Sequence, residues 1–231
     1  MKQGFEKHET LFCMLLIGSY LAVNSFCIQA FGSESVAGLI GNTVFSVCLL
    51  TLVLALKKRV YYGLTRVKNA RQYLYFLPLA LIVSVNLWGG IHVENSPREI
   101  VLHILNMINV GWIEELIFRG FLFRMMEKNG LKSAIAVSAL TFGAGHIINL
   151  FHHAPLIPTL MQIGYATATG YLFVILFYKS KSLVPCIITH CLVNSLSVFH
   201  GEGPLSLFVE PLVLTVVPLA YGIYLQKRIQ E

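Results

Sequence analysis

Long apolar stretches recur along the chain, separated by short polar breaks. They fall near 11–31, 36–56, 73–93, 99–123, 133–153, 159–178, 184–200 and 208–225. A helix needs roughly 20 mostly apolar residues to cross a bilayer. The pattern therefore predicts an all-α, polytopic membrane protein of about eight transmembrane helices, forming a single integral membrane domain over 1–231. The first stretch follows Lys2 and Lys7 and contains an Ile-Gln-Ala run, features shared with cleaved signal peptides. Its apolar length and the interrupting Glu6 and Glu9 favour a retained span.

Composition agrees with that pattern. Hydrophobic residues make up 56% of the chain and charged residues only 12%, against roughly 25% charged in an average soluble domain. The cysteines Cys13, Cys27, Cys48, Cys186 and Cys191 all lie in apolar runs without a CxxC pair, so they read as small core residues. Aspartate is absent, and every acidic residue is glutamate.

The net charge of +6 could point to nucleic acid, but its distribution follows topology. Starting inside and alternating sides puts segments 1–10, 57–72, 124–132, 179–183 and 226–231 in the cytoplasm. These hold Lys2, Lys7, Lys57, Lys58, Arg59, Arg66, Lys68, Arg71, Arg124, Lys128, Lys132, Lys179, Lys181, Lys227 and Arg228, which is all but Arg98 and Arg119 of the 17 basic residues. Basic residues of short loops stay cytoplasmic, so eight spans with both termini inside are expected, and no nucleic-acid partner.

Against this background, the ionisable residues within spans stand out, because each costs at least about 2.5 kcal/mol to insert. The fourth span carries Glu114-Glu115-Leu-Ile-Phe-Arg119-Gly120. Glu115 and Arg119, four apart, share a helical face and can pair. Glu114 is rotated by about 100°, free to face a cavity. The fifth span carries Phe142-Gly-Ala-Gly-His146, whose small residues admit a neighbouring helix, and the seventh carries His190-Cys-Leu-Val-Asn194 with both polar residues on one face. His103, His92, His152, His153, His200 and Glu210 sit nearer span ends and receive no role.

These groups suit peptide hydrolysis, which needs an activated water and stabilisation of an oxyanion. Glu114 can take the water proton, with His146 orienting the water, while His190 and Asn194 donate to the oxyanion. Glu115 and Arg119 would support the helix. A hydrophilic pocket open to the cytoplasm would hold the set. No cofactor is favoured, although a zinc version with Glu114, His146 and His190 as ligands stays open. An aspartyl dyad is impossible without aspartate, and Cys191 does not face His190.

Glu114-Glu115-x-x-x-Arg119-Gly120, Phe142-x-x-x-His146 and His190-x-x-x-Asn194 together resemble the three motifs of the CPBP family, over about 99–200. That family comprises type II CAAX prenyl endopeptidases and bacterial Abi or bacteriocin-processing proteins. The resemblance implies an intramembrane glutamate-dependent endopeptidase, with Glu114 and His146 activating water and His190 and Asn194 forming the oxyanion hole. The compact chain is more similar to the bacterial members. That implies a bacterial plasma membrane, with the lipid bilayer and a peptide or membrane-protein substrate as partners. The first three spans carry none of the motifs. A non-catalytic immunity or scaffold protein, and a proton- or ion-coupled transporter, are the competing functions.

Overall fold

The computed structural model describes residues 8–32, 34–201, 203 and 205–228. The predicted basic residues Lys2 and Lys7, and Glu6, lie outside the described residues. Among the described residues, six helices are long and apolar enough to cross a bilayer: α1 (Glu9–Phe31), α2 (Val36–Ala55), α4 (Pro97–Glu127), α5 (Leu131–His152), α6 (Leu156–Ser180) and α8 (Ser206–Lys227). A short helix α3 (Leu79–Ser84) precedes α4, and α7 (Val184–Phe199) precedes α8. The fold is all-α and polytopic.

Two predicted spans differ from a full crossing helix. The 73–93 stretch is broken into a 3₁₀ turn (Ala70–Phe76), α3 and a second 3₁₀ turn (Val85–Leu87). Pro78 supplies no N–H to an i→i−4 ladder, and the Ser84 hydroxyl bonds back to the Leu81 carbonyl (2.8 Å). Asn86 then donates to the Val193 carbonyl of α7 (2.6 Å), which holds this broken segment against the motif-bearing helices. Helix α7 has the predicted position but is shorter than the others, about 24 Å long at 1.5 Å per residue.

Local sequence sets the boundaries. Ser35 caps α2 by accepting from Gly38 N–H (3.0 Å). At α4, Ser96 and Glu99 form a reciprocal capping box around Pro97. Midway along α4, Leu116–Phe123 winds as a π-helix whose residues are all buried. The Ser138 hydroxyl of α5 donates to the Phe118 carbonyl there (2.8 Å), satisfying a group the wider winding disturbs. Close helix contacts rest on glycine. A Cβ at Gly111 of α4 would lie 2.9 Å from both the backbone nitrogen and the Sγ of Cys191 in α7. At Gly143 of α5 it would lie 2.8 Å from the Ile163 carbonyl of α6.

The basic segments are joined at one end of the bundle. Glu9 of α1 pairs with Lys128. Tyr61 donates to the Arg124 carbonyl (3.0 Å), Ser182 to the Thr65 carbonyl (2.6 Å), and Lys179 to the Arg228 carbonyl (3.4 Å). At the other end, His92 N–H meets the Phe199 carbonyl (3.1 Å), Ser25 meets His152 (2.8 Å), and His103 meets Glu34 (3.4 Å).

Candidate active site

Three helices, α4, α5 and α7, present the motif residues to one another. Gly111 lets α7 lie against α4, which brings His190 over the paired glutamates. Its Nδ1 is 2.8 Å from Glu115 Oε1 and its Nε2 is 3.5 Å from Glu114 Oε2. A carboxylate only accepts, so with Glu115 ionised the His190 Nδ1 carries hydrogen. Glu115 Oε1 also meets Arg119 Nη1 at 3.0 Å, with both side chains fully buried.

Arg119 has little room. Its guanidinium lies 4.0 Å above the Phe142 ring centroid and 5.6 Å from that of Phe173, so aromatic faces supply part of what water would. A Cβ at Gly170 of α6 would come within 2.9 Å of Arg119 Nη2. Phe142 also stands edge-on to His146 and His190, with centroids 5.3 and 5.6 Å away. This one ring spaces the arginine from both imidazoles.

His146 Nδ1 lies 3.2 Å from the Phe142 carbonyl. A carbonyl cannot donate, so that nitrogen bears the hydrogen, and Nε2 of the neutral ring is an acceptor. The two histidines are therefore not equivalent: His146 has a neutral partner, whereas His190 sits between two carboxylates.

Glu114, His146, His190 and Asn194 all line one cavity of about 390 Å³. Glu115 and Arg119 do not line it; they stand behind it as its support. The wall is mixed, with apolar Ile28, Ile82, Phe118 and Phe173 alternating with amides such as Asn24, Asn86, Asn149 and Gln162. Each contributing helix lends mainly the half remote from the basic end, as with Asn24 and Ile28 of α1, Ile148 and Asn149 of α5, and Gln162 of α6. The cavity thus extends from mid-depth toward the His152 and Glu34 end. Among the described residues, no three His, Cys, Asp or Glu side chains converge as a metal-holding group.

Tyr20 and Asn106 also line the cavity and His103 adjoins Asn194, and none of the three has a role from sequence. Tyr20 of α1 donates to Glu114 Oε1 at 2.8 Å. Asn106 of α4 accepts from Asn42 of α2 (2.8 Å). His103 places Nε2 3.2 Å from the Asn194 carbonyl and 3.1 Å from Ser197 Oγ. The signal for Tyr20 was faint: it and Asn24 lie four apart, hence on one face, in an otherwise apolar span. The first span, which carries no motif, nevertheless reaches the central carboxylate.

No curated protein and no solved structure matches the chain. Residues 96–196 match the family model described as type II CAAX prenyl endopeptidase Rce1-like. The match spans α4 to α7, the helices that bring the two glutamates, both cavity histidines and Asn194 together. This motif-bearing segment, less than half of the chain, is thus similar to the Rce1-like type II CAAX prenyl endopeptidases, in agreement with the CPBP motifs it resembles.

Proposed function

We propose that the protein is an intramembrane endopeptidase in which Glu114 activates water to hydrolyse a peptide or membrane-protein substrate. The observation that carries this reading is the convergence of Glu114, His146, His190 and Asn194 on one cavity. Water lies between Glu114 and the acceptor Nε2 of His146. Glu114 takes one water proton as the oxygen adds to the scissile carbonyl carbon. The oxyanion accepts from the Asn194 amide and from His190 Nε2. To donate there, His190 must carry both ring protons, one directed at Glu115 and the other at the oxyanion. Glu114 then returns its proton to the leaving amine, giving a new carboxyl and a new amino terminus.

The reading is metal-free. Both Nδ1 atoms have protein partners, so a zinc alternative would use the Nε2 atoms of His146 and His190 together with Glu114. Purified protein in detergent should cleave members of a quenched-fluorescent peptide library and keep doing so with a strong zinc chelator. Loss on chelation with recovery on added zinc would move the assignment to a metalloenzyme using Glu114, His146 and His190.

We place the basic end in the cytoplasm of a bacterial plasma membrane, since basic short loops stay inside. Glu9 of α1 and Lys227 of α8 then both lie on that side. The cavity then extends toward the outer face, unlike the cytoplasmic opening expected from sequence. Substrate on this reading reaches Glu114 from the outer half of the bilayer. Cysteines placed at Asn149 and Gln162 should react with a membrane-impermeant maleimide added outside whole cells, and cysteines at Arg66 and Lys68 should not. The reverse labelling would restore the cytoplasmic opening. The chemistry fits maturation of a secreted peptide or trimming of another membrane protein.

A further inference from the structure

We infer that Tyr20 is a positioning residue for the reaction, holding Glu114 by its outer oxygen so that the other faces the reacting atoms. This rests on Glu114 acting as the base. The two carboxylate oxygens have different surroundings: Oε1 accepts from Tyr20 at 2.8 Å, whereas Oε2 lies 3.5 Å from His190 Nε2. The first distance is a full hydrogen bond and the second is beyond one. A carboxylate on a helix has several χ rotamers, and only a fixed one keeps Oε2 directed at water.

Tyr20 is built to supply that restraint. Its ring is 2% exposed and packs against Phe45 of α2, with centroids 5.8 Å apart. The hydroxyl thus comes from a ring that cannot swing away. It also comes from α1, outside the family-matched segment, so the catalytic carboxylate is held by a helix the family match does not reach. Helix α2 completes the brace: Asn42 donates to Asn106 of α4 at 2.8 Å and to Asn24 of α1 at 3.2 Å. The active centre therefore includes the amino-terminal helices, and the segment over 96–196 alone would hold Glu114 loosely.

The test is Tyr20→Phe in the full-length protein, which removes one hydroxyl and keeps the ring. A quenched-fluorescent peptide cleaved by wild type should show kcat lowered roughly ten- to a hundredfold, the range for a hydrogen bond to a charged group. KM should stay within about twofold. Val53→Ala, at a buried position of α2 two turns from Phe45, is the packing control: it should lower the melting temperature and leave kcat largely intact. A second readout needs no substrate. Freed from Tyr20, Glu114 should be captured severalfold faster by a lipid-soluble carbodiimide, as read by mass spectrometry. Wild-type kcat and capture rate in Tyr20→Phe would overturn the inference. So would a loss of kcat that Val53→Ala reproduces. If Glu114→Gln itself kept full turnover, the proposed role of Glu114 would fail instead, and the two failures are thereby distinguished.

Discussion

Helices α1 and α2 are more apolar than α4 to α6 yet less enclosed. Their mean hydropathies are 2.0 and 2.1 with 17% and 22% of the span buried, against 1.4 to 1.6 with 33 to 50% buried for α4, α5 and α6. The membrane explains the inversion. A helix that faces lipid must be apolar all round, and it gains nothing by burying a particular face. A helix in the centre of the bundle can carry polar groups because protein surrounds them and can pair them. Hydropathy therefore locates the lipid boundary, whereas polarity within spans locates the interior. The two regions meet where isolated polar residues of the outer pair, Tyr20, Asn24 and Asn42, turn inward.

That contrast predicts a graded series of effects. Arg119→Met in α4 should be the most damaging to the fold. It leaves the Glu115 carboxylate buried without its cation, a loss of about 3–5 kcal/mol, read as a large fall in melting temperature in detergent. Asn194→Ala should leave folding intact and lower kcat about a hundred- to a thousandfold, the scale for one oxyanion donor. An unchanged kcat would remove Asn194 from the mechanism. Asn42→Leu, in the outer pair but facing inward, should cost about 0.6–1.7 kcal/mol, as intramembrane hydrogen bonds do. Val47→Leu on the lipid face of α2, where the side chain is 56% exposed, should shift stability by no more than about 0.5 kcal/mol. A large effect at Val47 would break the contrast by showing a partner on that face.

Much of this arrangement could be read from the chain before any coordinates. The six long helices follow from runs of apolar residues, because chain length and composition alone decide whether a helix can span. The basic residues of 57–72, 124–132 and 179–183 gather at one end, as alternation of spans requires. The four-residue spacing of Glu115 and Arg119 puts them on one face, and they pair at 3.0 Å.

Other features had no such signature. The break at Pro78 lies in a stretch whose apolar content alone reads as a span, since hydropathy does not register a missing N–H. The π-helical turn after Glu115 leaves the sequence pattern nearly unchanged. The direction in which the cavity extends depends on which half of each helix is left unfilled, and that is a property of packing between helices. Tyr20 was overlooked because a lone tyrosine in an apolar run is most often a packing ring; only the approach of α1 to α4 gives its hydroxyl a partner.

The central claim is that Glu114 carries the chemistry of a family-type protease, and the most direct test is turnover by Glu114→Gln. The substitution keeps the side chain's shape and its place beside Tyr20 and His190 while removing the base. The account predicts that the variant folds with a melting temperature close to wild type and cleaves the same peptide at least about a thousandfold more slowly. Turnover at the wild-type rate by a folded Glu114→Gln protein would contradict it.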